Sequence, residues 1–235
     1  MERKAAHMDL EAEEKRYADA QREAREKLMA ALAPRAPCCY AIAVSGSGSA
    51  HPYEDQASAL GKAIADAGYD LLTGGLEGVM FDVTKGFLGT DSRSKVVGII
   101  PHGKQDKASD VKVALKKALK KEALPNFQRV QTNLPGRLLD GKTKDHSGPS
   151  SRNRVLISQA SKVVLMPGGD GSVAEAKLAS DYGKQVIAYD PAKGRGGRDG
   201  FEKWRQTIAK LKIDDVQSLP EVERWLGKAP EPPKP

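Results

Sequence analysis

From Cys38 onward the chain repeats one pattern: a short apolar run, a turn, and a longer stretch of helical character. The runs are Cys38–Val44, Asp70–Leu72, Lys95–Ile100, Phe127–Thr132, Lys162–Met166 and Gln185–Tyr189. Most are continuously apolar rather than alternating, which is the mark of parallel strands covered on both faces. Tyr53–Ala67, Gly78–Leu88, Ala108–Ala123, Ser151–Ala160 and Ser172–Tyr182 fit between them as helices. Strand–helix alternation of this kind predicts an α/β fold, a doubly wound, mostly parallel, Rossmann-like sheet with helices on both faces. Residues 201–211 and 220–226 read as peripheral helices.

The ends differ from this middle. Residues 2–32 are charged, alanine-rich and free of Gly and Pro, so they predict one long helix, with Leu10, Tyr17, Ala20, Ala24, Leu28 and Leu32 near one face. Pro34 and Pro37 stop it. Its stripe suits docking on its own domain or on a partner subunit equally well. The expected organisation is a helical extension over 1–36, a Rossmann-like domain over 37–228, and a proline-rich, disordered tail over 229–235. A chain of 235 residues is long enough for one sizeable core.

No run of 18 apolar residues occurs and no secretory signal is visible, so a membrane partner is not expected. Cys38 and Cys39 are adjacent and read as packing thiols, in keeping with a reducing cytoplasm. The net charge is +7, with the excess in Lys104–Lys121 and Lys193–Lys212. Aromatics are few and no nucleic-acid motif is present, so the lysines read as a solvated surface rather than a nucleic-acid interface.

Three strand ends carry glycine clusters: Ser45-Gly-Ser-Gly-Ser49, Thr73-Gly-Gly-Leu-Glu-Gly78 and Pro167-Gly-Gly-Asp-Gly-Ser172. In doubly wound sheets ligands bind beyond the carboxyl ends of the strands. Together the turns predict a crevice lined with free backbone amides, in which Gly46, Ser47, Gly74 and Gly75 contact a nucleotide. The first turn is not a dinucleotide fingerprint, because His51 stands where the third glycine belongs, and it lacks the Gly-Lys-Ser/Thr ending of a P-loop. The third turn is the strongest signal. It joins a strand to a helix whose first amides lack intrahelical acceptors and suit a phosphate. Gly168, Gly169 and Gly171 would let the ligand approach, and Ser172 would add a hydroxyl donor. Ser172-Val-Ala-Glu175 is also a capping box, so Glu175 either caps the helix or faces the ligand. None of His7, His51, His102 or His146 shows ligand spacing, and each reads as a surface or loop residue. Asp82 reads as a helix cap, Met80 as core or pocket wall, and Asp170 and Glu77 have no role. No metal or other cofactor is expected.

Pro167-Gly-Gly-Asp-Gly-Ser-Val-Ala-Glu175 resembles the Pro-Gly-Gly-x-Gly-Thr-x-x-Glu signature of the LOG (Lonely Guy) family, phosphoribohydrolases of nucleoside 5′-monophosphates once described as lysine decarboxylases. Arg152 precedes Pro167 by 15 positions (167 − 152), the spacing expected of that family's functional arginine. Thr73-Gly-Gly-Leu-Glu-Gly-Val-Met80 resembles the family's second turn and Val97-Gly-Ile-Ile-Pro101 its next strand, so the likeness runs from Tyr40 to Asp190. Two positions depart: Asn153 stands where the enzymes carry lysine, and Ser172 where they carry threonine. Arg-Asn is instead similar to a branch that includes molybdenum cofactor carrier proteins.

The resemblance implies an enzyme with Glu175 and Arg152 as catalytic residues, releasing free base and ribose 5-phosphate from a nucleoside monophosphate. The alternative it implies is a carrier or sensor of a phosphorylated pterin or nucleotide without turnover. It also implies a homodimer or higher homo-oligomer.

Overall fold

In the computed structural model, the backbone is described for residues 2–32, 40–134, 138–139, 144–145, 151–193 and 200–230. Side chains are described for 15–32, 40–104, 106–134, 151–193 and 200–230. Cys38, Cys39, His146, the side chains of His7 and Leu10 and the tail from 231 lie outside these residues.

The order is α1 (Glu2–Leu32), β1 (Ala41–Ser45), α2 (Glu54–Asp66), β2 (Asp70–Thr73), α3 (Val79–Leu88), β3 (Val96–Ile100), α4 (Gln105–Leu119) and β4 (Phe127–Gln131). A short antiparallel pair, β5 (Leu138–Leu139) and β6 (Lys144–Asp145), follows. Then come α5 (Arg152–Gln159), β7 (Lys162–Leu165), α6 (Asp170–Asp181), β8 (Gln185–Tyr189), α7 (Glu202–Lys210), β9 (Asp214–Val216) and α8 (Leu219–Leu226). Seven strands form one sheet in the order β4-β3-β2-β1-β7-β8-β9, every pairing parallel. The chain winds outward from β1 to β4, crosses back to β7 on the other side of β1, and winds outward again. The expected fold class is the observed one, and the switch point lies between β1 and β7.

Two apolar clusters sandwich the sheet. One holds Ala57 and Leu60 of α2, Val83 and Phe87 of α3, Leu115 of α4 and Val222 of α8. The other holds Leu156 of α5, Val173 and Ala176 of α6, and Trp204 of α7, together with Ala24, Leu28, Ala31 and Leu32 of α1. On that second face α5 touches β1 and β3, while α1 lies over β3 and β4. The N-terminal stripe is therefore built into the domain's own core, which decides between the two dockings left open by the sequence.

Several elements differ from the expectations. Strand β9 was not foreseen because Asp214–Val216 is short and half exposed at the sheet edge. Helix α4 starts at Gln105 and stops at Leu119, where Lys120 turns left-handed with φ 52°. Helix α6 starts at Asp170 rather than Ser172, with Gly169 as its N-cap.

Four lysines answer the negative carboxyl ends of helices. Lys95 Nζ donates to Ala31 O of α1 at 3.1 Å, and Lys121 Nζ to Leu88 O of α3 at 2.7 Å. Lys184 Nζ donates to Ser158 O of α5 at 2.8 Å and to Ala160 O just beyond it at 2.7 Å, and Lys162 Nζ to Leu226 O of α8 at 2.7 Å. Such bonds satisfy orphan carbonyls and oppose the helix dipole. Part of the lysine excess is thus structural rather than simply solvated.

Helices α2 and α3 cross in close contact through two glycines. A Cβ on Gly61 would strike Val83 O and lie 2.8 Å from Phe87 N, and one on Gly86 would strike Ser58 O. Gly61→Ala should therefore lower stability by about 1–3 kcal/mol, the cost of overpacking a well-filled interface. Chemical denaturation checks this, and an unchanged midpoint would contradict the close crossing.

Candidate functional site

The pairing of β1 with β7 places the first and third glycine turns side by side. Met166 N donates to Ser45 O at 2.8 Å and Ser47 N to Pro167 O at 3.0 Å. The second turn joins them through Val79 N, which donates to Ser47 O at 2.9 Å. The three turns thus form one ledge at the carboxyl edge of the sheet.

The ledge is not the row of free amides that the sequence suggests. Ser47 N is used by Pro167 O, and Gly75 N donates to Thr73 Oγ1 at 3.1 Å, so neither is open to a ligand. Most of the glycines make room for the protein itself. A Cβ on Gly46 would press on Val79, and one on Gly75, at φ +66°, would meet Gly98 of β3. A Cβ on Gly74 would overlap Met80 and the Arg152 guanidinium, so Gly74 holds space for that side chain. Met80 is accordingly a wall beside it. Gly168 lies against Ser172 and the Gly46 backbone. Gly169 is different: a Cβ there meets nothing within 4 Å, and Gly48 has only Met80 Cε at 3.8 Å. Gly171 is half-buried within the first turn of α6. The open side of the ledge is at Gly169 and Gly48.

The start of α6 settles the capping-box question. With Gly169 as N-cap, Ser172 is the third helical residue and Glu175 stands one turn further on. Ser172 Oγ donates to Gly46 O at 2.8 Å, and the Glu175 carboxylate accepts from Ser45 Oγ. The Ser-x-x-Glu spacing puts two side chains on one helix face, and that face clasps consecutive residues at the end of β1. Ser172 is buried and its hydroxyl donates to Gly46 O in that clasp.

Arg152 is the first residue of α5, whose N-cap Ser151 accepts from Asn153 N. Its Nη1 lies 3.9 Å from Glu175 Oε1, within ion-pair range but beyond a hydrogen bond, and each side chain is 9% exposed. Among the described residues, Arg152 Nε and Nη1 and Asn153 Oδ1 are buried without a hydrogen-bond partner. Burial pushes the Glu175 carboxyl up, and Arg152 and then Ser45 pull it back; burial likewise pushes Arg152 down while Glu175 supports its charge. The pair can hold a polar oxygen between a donor fork and a carboxylate.

His51 is a loop residue, as expected, but a buried one: its Nε2 lies 3.1 Å from Asp82 Oδ2, with the His51 side chain 1% exposed. Tyr53 N donates to His51 Nδ1, which puts the ring proton on Nε2 facing Asp82. Asp82 is thereby an internal partner of His51 rather than a helix cap. Both border a cavity of about 400 Å³ with Phe81, Glu54 and Asp110. His102 is exposed, as expected. A cavity of about 860 Å³ runs past Ser58, Lys62, Gly86 and Asp91 and includes neither Arg152 nor Glu175. Among the described residues no group of three or more His, Cys, Asp or Glu is placed to hold a metal ion. The sequence reading missed Ser45 as a site residue, although a lone serine closing an apolar strand beside a glycine turn was a visible signal.

Residues 39–131 match the SLOG cluster4 family model, LDcluster4. No curated protein matches the chain. Among solved structures it is similar to the molybdenum cofactor carrier protein of Chlamydomonas reinhardtii, at 20% identity and TM-score 0.51, over 79% of this chain and 94% of that one. The molybdenum cofactor binding protein of Rippkaea orientalis gives 19% identity and TM-score 0.53, over 79% and 93%. DNA processing protein A of Helicobacter pylori, whose structure concerns single-stranded DNA binding, gives 16% and 0.53, over 79% of each chain. At these identities the likeness is one of fold. The LOG-like Rossmann resemblance is borne out. The matched stretch ends before Arg152 and the third turn, so the roles of Arg152 and Glu175 rest on geometry.

The pair gives a pH prediction. Glu175 has a folded-state pKa raised above its unfolded value, so its contribution to stability is present below the ordinary carboxylate range and lost as pH rises through the raised value. Removing Arg152 deepens that loss. Arg152→Met should therefore lose more stability than wild type as pH rises above the ordinary carboxylate range, read from denaturation midpoints; parallel curves would contradict the coupling.

Proposed function

We propose that this chain is a nucleoside 5′-monophosphate phosphoribohydrolase, cleaving the N-glycosidic bond to give free base and ribose 5-phosphate. The observation that carries the reading is the buried Arg152–Glu175 pair, with Arg152 Nε and Nη1 unpartnered, beside a glycine turn that is open at Gly169. The first amides of α6 lack intrahelical acceptors and stand at the positive end of its dipole, which suits a 5′-phosphate. The Gly168–Gly169–Gly171 turn brings that phosphate close, and the phosphate in turn positions the sugar. As the C1′–N bond breaks, positive charge grows on the ribose, and the Glu175 carboxylate is the group placed to stabilise it and orient the attacking water. Water oxygen bonds to C1′, and the base leaves with the bond's electron pair and a proton. Arg152 holds the carboxylate and the ligand's oxygens in register.

Asn153 supports a second reading. It is buried with Oδ1 unpartnered where the enzymes carry a lysine, and the fold relatives include proteins named for carrying or binding molybdenum cofactor. In this reading the same ledge holds a phosphorylated pterin or nucleotide without turnover. Either way the partner is a small phosphorylated molecule rather than nucleic acid, and the protein works as a homo-oligomer in the cytoplasm, which light scattering and cell fractionation check.

The test is incubation with AMP, GMP, CMP and cytokinin ribotides, with free base resolved by chromatography. Base release should fall by about 10²-fold or more in Glu175→Gln while nucleotide binding persists. Gly169→Val should keep the thermal midpoint, because its side chain enters open space, and lose nucleotide binding for the same reason. Folded wild type that binds a nucleotide or pterin phosphate but releases no base would favour the carrier.

A further inference from the structure

We infer that Ser45 is a positioning residue of this site, fixing the orientation of the Glu175 carboxylate through a direct hydrogen bond from its hydroxyl. The inference rests on the hydrolase reading for its catalytic consequence but not for its geometry. Ser45 is the last residue of β1, the strand on which the chain changes its direction of winding. Its main chain is locked, with Met166 N donating to its carbonyl and Leu165 of β7 opposite it in register.

Side chains alternate along a strand. Ile42 and Val44 enter the cluster with α2 and α3, while Ala41 and Ala43 enter the one with α5 and α6. Ser45 therefore faces α5 and α6, the two helices that supply Arg152 and Glu175. An apolar residue would fit the rest of this 1% exposed strand end. The hydroxyl instead donates to Glu175 Oε2, which leaves Oε1 as the oxygen turned toward Arg152.

The consequence is a division of labour within one carboxylate. Oε2 is held by the immobile strand, so the rotamer of Glu175 is set from the scaffold side. Oε1 is left for Arg152 and the ligand. Without the Ser45 bond, Arg152 at 3.9 Å is too far to fix the carboxylate by itself. The hydroxyl also favours the ionised carboxylate, in the same direction as Arg152 from α5, the other group acting on Glu175. Burial pushes the Glu175 carboxyl up, and the Ser45 bond is one of the two contacts that pull it back toward the charged form a ribosyl cation needs.

The experiment compares wild type, Ser45→Ala and Ser45→Thr, the last retaining the hydroxyl. Turnover of AMP is measured against pH, and the Glu175 carboxyl is titrated by ¹³C NMR, assigned by its loss in Glu175→Gln. In Ser45→Ala, kcat should fall about tenfold or more with KM nearly unchanged, and the acid limb of the kcat profile should move to higher pH. Ser45→Thr should restore both. The Glu175 resonance should titrate at higher pH in Ser45→Ala than in wild type, with or without turnover. An unchanged Glu175 titration in folded Ser45→Ala overturns the inference. So does a parallel loss of kcat and thermal stability with an unmoved pH profile, which is what mere packing would give. If wild type shows no turnover but the titration shifts, the hydrolase reading fails and the Ser45 bond stands.

Discussion

The site depends on the parallel pairing of β1 with β7. Two strands of one direction, adjacent at the switch point, deliver their carboxyl ends to the same place, and the bonds from Met166 N to Ser45 O and from Ser47 N to Pro167 O continue the ladder past the strands into the turns. Glycines are needed because the backbone of one turn lies where the other's side chains would be. Gly46 and Gly168 are the points of closest approach, and the clasp of Ser172 and Glu175 onto Gly46 and Ser45 follows once α6 has been launched from the third turn. A single antiparallel strand at this position would scatter these groups to opposite edges.

The same directionality sorts the charges. Each crossover helix runs against its strands, so helix amino ends gather at the ledge and carboxyl ends at the far edge. At the far edge Lys95, Lys121, Lys162 and Lys184 each sit at or before the start of a strand and donate to helix carbonyls. Lys162 also lies 5.0 Å above the Trp225 ring and 5.6 Å from the Tyr69 ring, so its charge is held against apolar surface as well as carbonyls. A basic chain thus commits several of its cations to the edge opposite the glycine turns. Net charge alone said little about the partner for this reason.

What could be read from the sequence was what period and chain order control. Continuous apolar runs announced the parallel sheet, and Arg152 and Glu175 came together as spacing and resemblance implied. What could not be read was set by neighbours distant in sequence. Whether Gly74 serves a ligand or a guanidinium depends on where α5 ends up, 78 positions later (152 − 74). The start of α6 two residues early changed Ser172 from a cap into a clasp. The burial of the loop residue His51 was not legible because its partner, Asp82, is on α3, 31 positions away (82 − 51). Strand β9 carried too little apolar pattern to be seen at all.

These corrections bear on what kind of site this is. A turn evolved only to bind phosphate would need glycines facing the ligand, yet most of these glycines face other parts of the protein, and they do so in order to bring Arg152, Glu175 and Ser45 within reach of one another. Burying an ion pair is a poor way to gain stability, since desolvation offsets most of the attraction. Leaving two guanidinium nitrogens unpartnered in such a place is worse, because each forgoes the water it would otherwise bond. An arrangement this unfavourable for the folded chain alone is explained if a ligand completes it. The donors left open on Arg152, 3.9 Å from the Glu175 carboxylate, would suit a polar, oxygen-bearing group between them, and the space at Gly169 leaves room for it to enter.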